Sequence, residues 1–313
     1  MKYLSEEDLR HLDISTAEVV QCMEDLIGAQ AKGRAWIAPK TNIRAADDRF
    51  MMATLAAADD PPYMAVKALL INPRNPERQL STINSSITLL DSSTGLPVAV
   101  MDGNWVTGVR TAGASALVAK RLANADSSVL ALIGCGVQAH SHLLAFSELF
   151  PLREVRAFGR GSKNRDALCH AAGKLGLEAV ASNSAKDAIS GADIVISSLP
   201  LVPKVEPFLD ANWLKEGAFI SSTDQALPWK GEGMRIFDRI IIDDRNQEAT
   251  MAEPMLDPEL VDGDIAELVI EKVPGRSGQE ERTAFVFRSV ALGDLAVSAL
   301  AYKKAKSCEK PVF

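Results

Sequence analysis

An apolar run, Val129 to Ile133, breaks at once into Gly134-Cys135-Gly136-Val137-Gln138-Ala139. Five consecutive apolar residues have the composition of a strand buried on both faces. An amphipathic stretch runs from the turn to about Phe150, and a second strand candidate, Glu154 to Phe158, follows. Strand, glycine turn, helix and strand within about 30 residues is the pattern of a dinucleotide-binding βαβ unit. The glycines have mechanical jobs in it. Gly134 permits the tight turn, and Gly136 lets backbone approach a pyrophosphate on the helix N-terminus. Ala139 stands where a small residue lets the helix pack close to the strand. A tight turn in some other α/β unit is the competing interpretation.

The segment after the second strand is Gly159-Arg160-Gly161-Ser162-Lys163-Asn164-Arg165. An NAD site usually carries an acid there, bonded to the ribose 2′-OH. Here the acid is missing and three cations sit close together. Arg160 offers a planar fork, Ser162 a hydroxyl and Lys163 a further charge, which suits a 2′-phosphate. NADPH is therefore expected over NADH, with NADH as the second choice.

The 313 residues, 47% of them hydrophobic, suffice for two cores. A net charge of −7 gives no electrostatic case for nucleic acid or an anionic membrane. No apolar run approaches the ~18 residues of a membrane span. The cysteines at 22, 135, 169 and 308 form no CxxC pair and read as reduced thiols. Met1-Lys2 leads straight into polar residues, so no signal peptide is expected, and the location expected is cytoplasmic. His140 and His142 face different directions on one helix, which disfavours a metal site.

The first 105 residues have another character. Residues 4 to 33 have helical spacing, with Ser5 and Asp8 resembling a capping box, a second start at Ser15 or Thr16, and a stop at Gly33. Five short apolar or alternating segments follow: Arg34 to Ala38, Arg49 to Ala53, Tyr63 to Leu70, Ile83 to Leu90 and Pro97 to Asp102. Turn residues separate them, which predicts a mostly antiparallel sheet. Residues 106 to 125 are helical and bridge to the βαβ unit. Beyond that unit the alternation continues: helix Lys163 to Leu175, strand Glu178 to Ala181, short helix Ser184 to Ile189, and strands Asp193 to Ser198, Ala218 to Ser221 and Ile240 to Asp243. A last helix spans about Ala291 to Lys306. The expected class is α/β. A Rossmann-type doubly wound parallel sheet is joined to an α+β substrate and dimerisation domain with a mostly antiparallel sheet.

Ligands in such sheets bind beyond the carboxyl ends of the strands. Asp224 ends one such segment, where it serves either chemistry or a helix N-cap. Lys67 lies in an apolar strand, Ala65-Val66-Lys67-Ala68-Leu69-Leu70. It either binds a carboxylate with a lowered pKa or snorkels from an edge. Arg110, near the start of the bridging helix, is open between a carboxylate fork and a surface residue.

Several longer stretches are more specific. They are Lys67 to Asn75; Leu89-Leu90-Asp91 with Thr94-Gly95-Leu96-Pro97; Asp102-Gly103 with Thr107 and Arg110-Thr111-Ala112; Ile133 to Ala139; Ala192-Asp193-Ile194-Val195; and Ser221 to Asp224 with Lys230. Through them the chain resembles the ornithine cyclodeaminase/mu-crystallin family over nearly its whole length. The resemblance implies Lys67 and Arg110 on a substrate carboxylate and Asp224 as acid/base beside the reacting nitrogen. It implies Lys40, Thr82 and Val290 around the substrate as well. Toward the cofactor it implies Arg110, Thr111, Gly134, Gly136, Val137, Gln138, Arg160, Ser162, Lys163, Ser198, Ser222, Thr223, Lys230 and Ser289. It assigns residues 1–112 with 291–313 to substrate binding and dimerisation, and 113–290 to the dinucleotide.

Two departures matter. Where the family has an arginine after a proline, Lys40 follows Pro39, keeping charge but losing the fork. Where ornithine-cyclising members carry an extra carboxylate, Thr54-Leu55-Ala56 stands. With its shorter ending, Thr283 to Leu295, the chain looks like the branch that reduces cyclic ketimines. The expected function is NAD(P)H-dependent reduction of Δ1-pyrroline-2-carboxylate to L-proline, with Δ1-piperideine-2-carboxylate as a second substrate. Ornithine or lysine cyclodeamination, an open-chain imino-acid or alanine dehydrogenase, and a non-catalytic NADPH-binding protein are the alternatives. A homodimer through residues 1 to 112 and the C-terminal helix is expected, because the sheet region has too little helix to cover both faces.

Overall fold

The computed structural model of the chain describes residues 1–200 and 206–308. The chain divides into two units, Met1–Gly113 together with the segment from Val290, and Ala114–Ser289.

The first unit opens with β1 (Lys2–Leu4), α1 (Glu6–Arg10) and α2 (Thr16–Ala31). Ser5 and Ser15 each close a capping box, with Asp8 and Glu18 respectively. β2 (Ala35–Ile37), β3 (Thr41–Arg44), β4 (Phe50–Ala58), β5 (Tyr63–Ile71), β6 (Ile83–Asp91) and β7 (Pro97–Asp102) follow, and α3 (Gly103–Leu122) leads into the second unit. The sheet order is β1-β7-β6-β5-β4-β2, with β3 also paired to β4. Every pairing is antiparallel except β1 with β7. β1 and β3 were not foreseen. Three or four residues are too few to show a period, and all of β3 is exposed.

Sidedness in this sheet is strict. Ala65, Lys67 and Leu69 of β5 are buried, whereas Met64, Val66 and Leu70 are exposed. The buried face packs under α2 and the C-terminal helix (Ala291–Ser307). The opposite face exposes Trp36, Ile43, Met51, Leu55, Met64, Val66 and Leu70. Register makes these neighbours: Met51 opposes Leu70, Leu55 opposes Val66, and Ile43 opposes Met51.

The second unit runs β8 (Val129–Ile133), α4 (Val137–Leu149), β9 (Glu154–Phe158), α5 (Ser162–Lys174), β10 (Glu178–Ala181), α6 (Ala185–Ile189) and β11 (Ile194–Ser197). Then come β12 (Phe219–Ser222), β13 (Arg239–Ile242), α7 (Arg245–Glu248), β14 (Gly263–Asp264), α8 (Ile265–Val269) and β15 (Thr283–Val286). All eight strands are parallel, in the order β10-β9-β8-β11-β12-β15-β13-β14. The order reverses between β9 and β11 around β8, the topological switch point of a doubly wound sheet. β15 was missed by the sequence reading, yet its four residues are wholly buried between β12 and β13. A four-residue apolar run after a long irregular stretch gives little period to read. Among the described residues no helix is long and apolar enough to cross a membrane.

Candidate functional site

The first unit gathers a buried ionic cluster. Lys67 is only 1% exposed, because β5 is a central strand and its inward face meets the C-terminal helix. The snorkelling alternative is thereby removed. Its Nζ donates to Asp294 Oδ1 at 2.8 Å, and Arg110 Nε donates to the same oxygen at 3.0 Å. Thr54, directly across from Lys67 in the β4–β5 register, donates its hydroxyl to Asp294 Oδ2 at 3.1 Å. Burial pushes the Lys67 amine down to about 8, with Asp294 opposing that shift and Arg110 reinforcing it. Burial works against ionisation of Asp294, but Lys67 and Arg110 outweigh it and hold the carboxyl below its usual range. The C-terminal helix lies close enough that a Cβ on Gly293 would meet Arg110 Cδ at 3.2 Å.

Asp294 was not singled out by sequence. Its signal was an acid in an otherwise apolar, alanine-rich helix start, where a buried charge must find partners. Val290 is the N-cap residue of that helix and is buried. Lys40 is half-buried between β2 and β3, and Thr82 sits exposed ahead of β6 with its carbonyl accepting from Asn72 N. Thr111 is buried and donates its hydroxyl to the Thr107 carbonyl.

In the second unit the glycine turn has the expected mechanics. Gly134 has φ +90°, and a Cβ there would meet the Ser198 carbonyl oxygen at 2.7 Å. Gly136 is the N-cap of α4, makes no side-chain cap, and has open space where a Cβ would stand. The first N–H groups of α4, including those of Val137 and Gln138, have no intrahelical partner. Gln138 Oε1 and Ser198 Oγ are buried without a hydrogen-bond partner. An uncapped helix start, open space over Gly136 and a buried Ser198 hydroxyl with a proton to donate fit a dinucleotide pyrophosphate. β9 ends without an acid, and Arg160, Ser162 and Lys163 are exposed at the start of α5, whose N-cap is Gly161.

One further polar chain braces this helix. Burial drives His142 down to about 4, so the ring is neutral. Its Nδ1 lies 2.7 Å from the Gln138 carbonyl and must donate there. Nε2 then accepts from Ser115 Oγ at 2.9 Å, and Ser115 accepts from Ser221 Oγ at 2.8 Å.

Asp224 follows β12 and is fully buried. It caps no helix. Gln225 and Ala226 after it both have positive φ, 61° and 57°, which is strained for side chains. Asp224 Oδ1 accepts from Ser197 Oγ at 2.8 Å and from Ser222 Oγ, and Oδ2 accepts from Leu199 N at 3.0 Å. Trp229 Nε1 donates to Ser197 Oγ at 3.1 Å, and Ser222 Oγ also accepts from Ala226 N at 3.0 Å. Burial pushes the Asp224 carboxyl up, against the lowering effect of these bonds. Ser197 and Trp229 were missed because neither lies in the matching stretches. Thr223 Oγ1 donates to the Ser197 carbonyl, and Lys230 faces Asp210 and the Trp213 ring. Ser289 has φ +123°, a region that favours glycine, and its hydroxyl is buried without a partner. Asp243 Oδ2 holds it there, accepting from Arg288 N at 3.0 Å and Ser289 N at 2.6 Å. A cavity of about 460 Å³ lies behind the Asp224 turn, lined by Ala226, Trp229, Met234, Met255, Leu256 and Leu260 among others. None of those six is a residue the sequence reading assigned.

The sequence model of the ornithine cyclodeaminase/mu-crystallin family matches residues 4–309. The chain belongs to this family. Rat ketimine reductase mu-crystallin is 29% identical over 256 residues, covering 80% of this chain and 79% of the relative. Among solved structures, the fold is similar to the Thermococcus litoralis Δ1-pyrroline-2-carboxylate reductase in complex with NADH and L-proline. The TM-score is 0.89 at 29% identity, over 98% of each chain. It is similar also to an archaeal alanine dehydrogenase dimer with bound NAD, with TM-score 0.86 at 28% identity, over 98% of this chain and 96% of that one. Thr54 itself stands on the buried, inward face of β4. A carboxylate on that inward position would point toward Asp294, and two buried like charges repel at such range.

Proposed function

We propose that this protein, an NAD(P)H-dependent oxidoreductase, reduces the C=N bond of a cyclic ketimine carboxylate, converting Δ1-pyrroline-2-carboxylate to L-proline. The observation that carries the reading is the buried pair Lys67 and Arg110, two cations converging on one carboxylate within the core of the first unit. Such a pair suits a small carboxylate ligand. Similarity to the reductase that holds NADH and L-proline favours the five-membered ring. Thr54 in place of an acid disfavours a diamino acid, whose distal ammonium needs a counter-charge.

Bound NAD(P)H would supply the hydride. The first unit is assigned the substrate, with Lys67 and Arg110 holding its carboxylate so that one ring face is presented. Asp224 is assigned to the ring nitrogen. Its Oδ2 accepts from Leu199 N and has a second lone pair. A carboxyl raised by burial is suited to holding or giving a proton there, and its charge stabilises the protonated imine. The second unit is assigned the dinucleotide, with the α4 start toward the pyrophosphate and Arg160, Ser162 and Lys163 toward a 2′-phosphate. NADPH is the preferred form and NADH the second. A second copy of the chain is assigned to the exposed apolar face of the first unit, which makes the working enzyme a homodimer.

The test is a substrate panel with NADPH and NADH, followed by nicotinamide absorbance and chiral identification of product. Δ1-Pyrroline-2-carboxylate should be turned over to L-proline, with Δ1-piperideine-2-carboxylate slower. Faster turnover of pyruvate with ammonia, or ammonia release from ornithine without added reductant, would replace this reading.

A further inference from the structure

Taking three charged side chains out of water is costly, and apolar residues of the same volume often serve stability as well or better. The Lys67–Arg110–Asp294 cluster is therefore not explained by stability alone. Asp294 does something the two cations do not do for themselves. Two extended side chains from different elements, β5 and α3, would repel each other at this range. Both instead donate to one oxygen of Asp294, at 2.8 Å and 3.0 Å. Its other oxygen also lies 2.8 Å from Lys67 Nζ and accepts from the Thr54 hydroxyl of β4 at 3.1 Å. The carboxylate comes from the first turn of the C-terminal helix, a rigid element with no freedom to follow a ligand.

We infer that Asp294 is a positioning residue that holds Lys67 and Arg110 as a preassembled cationic pair for the substrate carboxylate. The inference rests on the proposed reading of Lys67 and Arg110. It adds the group that sets their spacing and keeps Lys67 charged. The charged groups acting on Lys67 are Asp294 from the C-terminal helix and Arg110 from α3, with the Thr54 hydroxyl of β4 opposite. Asp294 alone favours the ammonium form. Burial and Arg110 both favour the neutral amine, and together they bring Lys67 to about 8. Without the Asp294 charge, the amine would lose its proton at lower pH and the carboxylate would lose a partner.

The experiment measures binding of pyrrole-2-carboxylate, an unreactive planar carboxylate, by calorimetry between pH 6 and 10, beside steady-state kinetics on Δ1-pyrroline-2-carboxylate. Asp294→Asn should weaken pyrrole-2-carboxylate roughly tenfold or more, the scale on which loss of a supporting partner weakens metal sites. It should also move the alkaline loss of binding to lower pH, and it should affect NADPH affinity, read by fluorescence, much less. Thr54→Val keeps all three charges. It should give a smaller weakening with the pH limb little moved, which guards against a variant that merely folds poorly. Unchanged affinity and an unchanged pH limb in Asp294→Asn would overturn the inference. If the wild type turns over no imine, yet binds pyrrole-2-carboxylate and loses it in Asp294→Asn, the reaction assigned above fails and the role of Asp294 stands. No binding by the wild type would overturn both.

Discussion

Lys67 and Asp224 have opposite electrostatic problems, and their variants should separate. Lys67 is a cation pushed toward neutrality by burial, and its value to a ligand is charge. Binding of a carboxylate should therefore be strong below about 8 and weaken as pH rises through it, so KM should climb on the alkaline side. Lys67→Met removes a partner present in ground and transition states alike, so KM should rise at least as much as kcat falls. Asp224 is an acid pushed up by burial and fixed by Ser197, Ser222 and Leu199 N. Asp224→Asn keeps size and removes charge. It should lower kcat roughly a hundredfold, the usual scale for a positioned acid or base, with modest change in KM. Steady-state kinetics with the cyclic imine checks both, and a near-normal kcat for Asp224→Asn would reduce it to a brace for its strained turn.

At the scale of elements, the two glycines of the βαβ turn should fail differently. Gly134 has positive φ and faces the Ser198 carbonyl, so Gly134→Ala strains the backbone and collides. It should lower the melting temperature measurably, in the absence of any dinucleotide. Gly136→Ala meets nothing in the protein and should fold normally, but its methyl enters the space over the α4 start. Dinucleotide affinity should fall while the unliganded melting temperature holds, and equal behaviour of the two variants would contradict the assignment of that space. At the start of α5, Arg160→Ala should weaken NADPH roughly tenfold through loss of a charge-assisted bond, and affect NADH much less. Equal losses in fluorescence titrations of the two cofactors would show that Arg160 does not read the 2′-phosphate.

For the whole molecule, the apolar sheet face is the feature behind the proposed homodimer. Seven large apolar side chains on paired strands exceed what scattered surface hydrophobics explain. Sedimentation at micromolar concentration should give twice the mass of 33.6 kDa, and Val66→Lys, which puts a charge in the middle of that face, should shift it toward one chain. A single-chain mass for the wild type would count against the homodimer. In the same assay Leu96→Lys, exposed but outside those paired rows, should leave the mass unchanged.

Local sequence was enough for what local physics decides. The βαβ turn, both capping boxes, five of the first unit's strands and most of the parallel strands are written in glycine placement, cap residues and apolar runs, which act within a few residues of each other. Lys67 was legible as a candidate from its charge in an apolar strand and Asp224 from its place at a strand's carboxyl end, whereas Arg110 was chosen only through the family resemblance. β1, β3, β14 and β15 were not legible. They are too short to show a period, and β15 is a strand only because β12 and β13 leave it a slot. Tertiary structure alone decided what Lys67 and Arg110 touch. Asp294 stands 227 residues from Lys67 and 184 from Arg110 along the chain, so no local pattern joins them. The burial of all three is set by the C-terminal helix packing on the inward face of the sheet. The same packing leaves the outward face bare, because a strand's alternation reveals that it has two faces and not which of them the rest of the chain will cover.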